Sequence, residues 1–104
     1  MAFHVTHRYG GMDSAPPLSS LPSLLRELDD RPEDTEHGSV SVSHESEWCL
    51  SVYRGGYVVF EHLERGGERH MRGVPEAKII EMWSQLARGD IASIETEAWK
   101  PGYG

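Results

Sequence analysis

The chain is poor in cysteine, in long apolar runs and in positive charge, and each shortage removes a class of explanation. A single cysteine, Cys49, leaves no internal disulfide and no cysteine-based zinc site, and it suits a reducing cytoplasm. No stretch approaches the roughly 18 consecutive apolar residues of a membrane span. The start, Met1-Ala2-Phe3-His4-Val5, has neither the basic residues nor the apolar run of a secretory signal. A cytoplasmic protein with no membrane attachment is therefore expected. Ten Lys and Arg against 17 Asp and Glu leave a formal charge of -7. That field repels phosphate backbones, so direct binding of nucleic acid is not expected. It also speeds encounter with a basic protein partner, and it keeps a small domain in solution.

Catalytic signatures are missing as well. Neither glycine pair extends into Gly-Lys-Ser/Thr or Gly-x-Gly-x-x-Gly at a strand-to-helix junction, and no Gly-x-Ser-x-Gly elbow occurs. Cys49 lies between Trp48 and Leu50 with no electropositive neighbour in sequence, which suits an inert buried thiol. There are six histidines, but strand alternation puts His4 and His7 on opposite faces. Neither that pair nor His62 with His70 has the spacing that aims two imidazoles at one ion. No metal site and no cofactor are expected, and most of the histidines are read as solvent-facing or edge residues. The alternative is a small metal-dependent or acid-base enzyme built on His62, His70 and Glu68.

What the chain does contain is periodicity. Its 104 residues are 38% hydrophobic, and the apolar ones are grouped in patterned runs that suit one domain over 1–104. Phe3, Val5, His7 and Tyr9 alternate with polar residues as a strand does. Residues 10–20, with Pro16 and Pro17, read as a flexible loop. Leu21, Leu24, Leu25 and Leu28 then fall on one face of a short helix that should end near Asp29-Asp30, and 29–38 reads as a second exposed loop. Val40 and Val42, then Trp48, Leu50 and Val52, alternate with polar residues. Arg54-Gly55-Gly56 makes a tight hairpin into Tyr57-Val58-Val59-Phe60, and Gly66-Gly67 leads to a strand over Glu68–Arg72. Val74-Pro75 opens a second helix whose stripe is Ile79, Met82, Trp83 and Leu86, with Gly89 as its stop. Ile91, Ile94, Ala98 and Trp99 suggest a final extended segment, and 100–104 a mobile tail. The fold class expected is α+β: a single antiparallel sheet of about four to six strands packed against two helices.

Large amphipathic rings beside a turn often anchor protein interfaces, and Tyr53 and Tyr57 flank the hairpin. Acidic residues cluster at Glu33, Asp34 and Glu36 and again at Glu45 and Glu47. Together these seven are the candidate partner-binding residues of a non-catalytic module, and an exposed sheet edge could also pair two copies into a homodimer. The order of elements, with Val74-Pro75, Trp83, Gly89 and Trp99, resembles the small α+β immunity proteins of bacterial polymorphic toxin systems. It is also similar to small actinomycete proteins for which no activity is implied. The first resemblance implies a cytoplasmic inhibitor that binds a cognate toxin domain and blocks it without catalysis of its own.

Overall fold

A computed structural model describes residues 3–30 and 38–103. Among these residues the strands are β1 (Phe3–Thr6), β2 (Met12–Ser14), β3 (Ser39–His44), β4 (Trp48–Tyr53), β5 (Tyr57–His62), β6 (Gly66–Met71) and β7 (Lys100–Pro101). They form one sheet in the order β2-β1-β3-β4-β5-β6-β7, and all neighbours are antiparallel. With helices α1 (Leu21–Arg26), α2 (Glu76–Ala87) and α3 (Ile91–Glu95), the fold is α+β. Seven strands replace the expected four to six, because β2 and β7 have only three and two residues, too few to leave a periodic trace.

Alternation divides the sheet into two unlike faces. The register sets Val5 and Leu50 against Val42, Val40 and Val58 against Val52, and Phe60 against Leu50. All of these pack on Leu21, Leu24, Leu28, Ile79, Met82, Trp83, Leu86 and Ile94, so the α1 leucines and the α2 stripe meet on this inner face. Trp83 is fully buried, and its indole N–H donates to the Leu50 carbonyl at 3.1 Å. The opposite face presents Thr6, Ser41, Cys49, Ser51, Tyr53, Tyr57, Val59, Glu61 and His70 by the same register. Cys49 and Val59 are buried there, yet neither belongs to the helix-covered core.

Three expectations for the connecting segments are corrected. The segment after Gly89 is helical before it is extended: Asp90 caps α3 by accepting the Ser93 N–H at 3.3 Å and the Ser93 hydroxyl at 2.7 Å. Ile91 and Ile94, three apart, fit one helical turn. Residues 10–20, read as a flexible loop, hold β2 and a single 3-10 turn at Leu18–Ser20, because Gly10 at φ +94° lets the chain reverse after β1. The tail, read as mobile, adds β7 to the sheet, and the Gly102 N–H donates to the Glu68 carbonyl at 2.8 Å. The histidines are corrected too. His44, His62 and His70 are buried, because the Nδ1 of each is engaged by a nearby backbone or hydroxyl group.

His7 joins the β1–β2 hairpin to the 3-10 turn Glu27–Asp29 that continues α1. Its Nε2 lies 2.6 Å from Asp13 and its Nδ1 2.6 Å from Glu27, while Glu27 also accepts the Arg8 N–H at 3.0 Å. The Asp13 hydrogen bond, then that to Glu27, raises the His7 pKa above 6.5. A group whose pKa is raised on folding binds its proton more tightly in the folded state. The resulting stabilisation is complete below the unfolded value of about 6.5 and is lost as pH rises through the folded value. Thermal unfolding from pH 6 to 9 should therefore show wild type losing more of its midpoint temperature than His7→Gln across that window. Parallel curves for the two proteins would reject the ionic role.

Candidate protein-binding surface

The hairpin between β4 and β5 builds the best-formed candidate surface. Gly55 and Gly56 adopt φ of +88° and +80°, conformations open to glycine, and the strands beyond them set Tyr53 directly against Tyr57. The two rings lie 5.3 Å apart between centroids. The Arg72 guanidinium stands 4.7 Å over Tyr57, and His70 packs 5.9 Å from the same ring. The Gly56 carbonyl accepts the Val74 N–H at 3.0 Å, so the hairpin is anchored to the chain entering α2.

The tail completes this surface. The Tyr57 hydroxyl donates to the Tyr103 carbonyl, and the Tyr103 hydroxyl donates to Glu61 at 3.1 Å. Residues 57, 59 and 61 share one face, so Tyr103 bridges the positions on either side of Val59. The His70 Nδ1–H donates to the Gly102 carbonyl at 2.9 Å. Hydrogen bonding to the Glu61 carboxylate raises the Tyr103 pKa, so the phenol stays a donor at neutral pH. Tyr53 and Tyr103 remain exposed. Among the described residues, the outer face thus carries a strip of tyrosines that no helix covers, bordered by small hydroxyl side chains.

Beside the hairpin a cleft of about 170 Å³ is lined by Leu25, Asp29, Tyr53, Arg54 and Glu76, among others. Its ion pairs, Arg54 with Asp29 and Arg26 with Glu76, are both 4.0 Å long and exposed, so they hold little and leave the groups able to exchange partners.

The seven residues expected from sequence divide into separate groups. Tyr53 and Tyr57 form the pair just described. Glu45 and Glu47 lie in the β3–β4 turn at the opposite end, one β4 length away, roughly 17 Å at about 3.4 Å per residue. That turn is fixed in its own right: Glu47 has φ +74°, and its carbonyl accepts the Leu63 N–H at 2.7 Å. Glu33, Asp34 and Glu36 lie outside the described residues, but Ser39, just after them in sequence, pairs with Tyr53. Tyr103 belongs with the tyrosine pair, and its contact with Tyr57 spans 46 residues, a separation that no local pattern reports.

The alternative constellation is not assembled. His62 pairs across from Trp48 on the inner face, while His70 pairs with Val59 on the outer one. Among the described residues no three of His, Cys, Asp and Glu gather where they could hold a metal ion. No helix among them is long and apolar enough to cross a membrane. Both sheet edges are short, and β7 contains Pro101, which offers no N–H to a neighbouring strand. In comparisons with known proteins, no family model, curated sequence or solved structure matches the chain.

Proposed function

We propose that the chain is a non-catalytic protein-binding module, an immunity-like inhibitor acting in the cytoplasm that docks on a basic toxin domain through the hairpin end of its outer sheet face. The observation that carries this reading is the tyrosine strip of Tyr53, Tyr57 and Tyr103 on a face that no helix among the described residues covers. Stiff aromatic side chains bury much area at small entropic cost, and they dominate the energetics of protein interfaces. Asp29 and Asp30 are exposed at the end of the 3-10 turn that continues α1, and Asp29 lines the cleft beside Tyr53. Glu33, Asp34 and Glu36 follow them in sequence. A chain of charge -7 with Asp29 beside an exposed tyrosine suits a cationic partner, whose approach it accelerates and whose apolar groups the rings then receive. In this reading Glu45 and Glu47 contribute to the long-range field rather than to the same contact.

The test takes whichever basic domain encoded by a neighbouring reading frame binds the purified chain, and finding none rejects the reading. Changing Glu33, Asp34 and Glu36 together to lysine should slow association by about tenfold or more at low ionic strength, and salt should erase the difference. Tyr53→Ala should act mainly on dissociation, accelerating it by about tenfold or more. Association unchanged at low salt rejects the role of the acidic segment, and dissociation unchanged in Tyr53→Ala rejects the docking face.

A further inference from the structure

At the end of the sheet opposite the hairpin, Trp48, His62, Arg65, Arg69 and Glu95 border a cleft of about 330 Å³. Its floor is aromatic. Trp48 is half-buried and stacks on Phe60 at 4.6 Å with an interplanar angle of 18°, and Phe60 stacks in turn on Trp99. Two arginines stand over the Trp48 ring, Arg65 at 5.9 Å and Arg69 at 5.8 Å. Their charges are used differently. Arg69 forks onto Glu95 with bonds of 3.1 and 2.8 Å, whereas Arg65 has no carboxylate partner among the described residues.

His62 supplies the second half of the site. It is only 7% exposed, packs edge-on to Trp48 at 5.2 Å, and its Nδ1 accepts the N–H groups of Glu64 and Arg65 at 3.3 and 3.1 Å. A neutral imidazole that accepts at Nδ1 carries its proton on Nε2. That Nε2–H has no acceptor among the described residues. The cleft therefore joins an uncommitted guanidinium, an uncommitted N–H donor on a largely buried imidazole and a half-open indole face.

We infer that this cleft binds a carboxylate carried on an aromatic or apolar group, with the carboxylate on Arg65 and His62 Nε2–H and the apolar part on Trp48. The guanidinium fork matches a planar carboxylate, and an arginine already held over a ring loses less freedom when it binds. Glu95 lies in the same cleft, so one uncommitted cation suits a monoanion and opposes a doubly charged phosphate. The occupant is either a small aromatic acid or an acidic side chain of a bound peptide. The inference does not rest on the inhibitor reading, since Trp48 and the hairpin tyrosines occupy opposite ends of β4.

Titration of the whole protein with benzoate, followed by NMR of the Trp48 indole and Arg65 Nε–H resonances, tests it. Benzoate should shift both with a dissociation constant on the order of 1 mM, while benzyl alcohol should shift neither. Arg65→Gln, at an exposed turn position, should weaken binding by about tenfold or more at unchanged thermal stability, and Arg65→Lys should fall between. Acetyl-Phe-Asp-Phe-amide identifies the source: binding at least as tight as benzoate supports a peptide side chain, and exclusion of the peptide while benzoate still binds supports a small acid. Unmoved resonances at tens of millimolar benzoate, inorganic phosphate binding as tightly as benzoate, or full affinity in Arg65→Gln would each overturn the site.

Discussion

Replacing Trp83 with alanine is expected to destabilise the domain by about 3–5 kcal/mol, which at its upper end leaves about half of the protein unfolded at 25 °C if the total stability is about 5 kcal/mol, the low end of the usual range. Trp83 is fully buried in the middle of α2, and the inner sheet face, α1 and α2 share one apolar cluster with it. Its removal leaves a cavity that a sheet held in register by backbone hydrogen bonds collapses into only partly. It also strips the Leu50 carbonyl of the indole N–H that reaches it from above. Trp83→Phe separates the two effects. It keeps most of the packing and loses the hydrogen bond, so a cost of about 1–3 kcal/mol is expected, with the protein still folded. Urea unfolding measures both variants as shifts in midpoint at constant slope. An alanine variant within 1 kcal/mol of wild type would mean that Trp83 is not the keystone of the core, a reading tied to the usual large-to-small cost.

The same contrast between core and surface explains which parts of the molecule could be read from the chain. Leu21, Leu24, Ile79, Met82, Trp83 and Leu86 announce themselves because an amphipathic helix repeats its apolar positions from one turn to the next, and all six are buried where expected. The β4–β5 hairpin is equally legible, since two adjacent glycines between alternating apolar residues have few other uses. Elements of two to five residues carry no such repetition. β2, β7 and α3 were missed or misread because two to five residues cannot display a period, although Asp90 followed by Ser93 did hold a usable capping signal.

The candidate surface divides along the same line. The facing of Tyr53 and Tyr57 follows from the turn between them, a local matter. Tyr103 joins them only through tertiary folding of the tail, and the Trp48 cleft depends on Arg65, Arg69 and Glu95 converging from a turn, a strand and a helix. The histidines mislead for a further reason. His44 and His62 each stand just before a turn and satisfy its free N–H groups through Nδ1, a structural task that composition cannot tell from surface exposure or chemistry.

Gly56→Ala should be the most damaging small substitution on the binding face, costing about 2–4 kcal/mol, whereas Gly55→Ala next to it should cost only about 1 kcal/mol. Both glycines have positive φ, so the backbone penalty for an L side chain is common to the two. The difference lies in what an added methyl meets. At Gly55 nothing lies within 4 Å, but at Gly56 the new carbon would stand 2.8 Å from the Val74 carbonyl oxygen and 2.9 Å from its nitrogen. These are backbone atoms at the entry to α2 and cannot swing aside as a flexible side chain would. Relief requires the hairpin to lift away from Val74, which breaks the 3.0 Å bond from the Val74 N–H to the Gly56 carbonyl and moves the Tyr53–Tyr57 pair with it. Chemical denaturation of the two variants measures the stability gap. Amide exchange at Val74 should become markedly faster in Gly56→Ala alone, because the bond protecting that N–H is the one the methyl disrupts. Equal destabilisation by both alanines would show that φ strain accounts for the whole effect and that the close approach of hairpin to helix entry contributes nothing. If instead Gly56→Ala alone weakens partner binding while Gly55→Ala leaves it intact, the junction between Gly56 and Val74 is what holds the tyrosines in a binding-competent position.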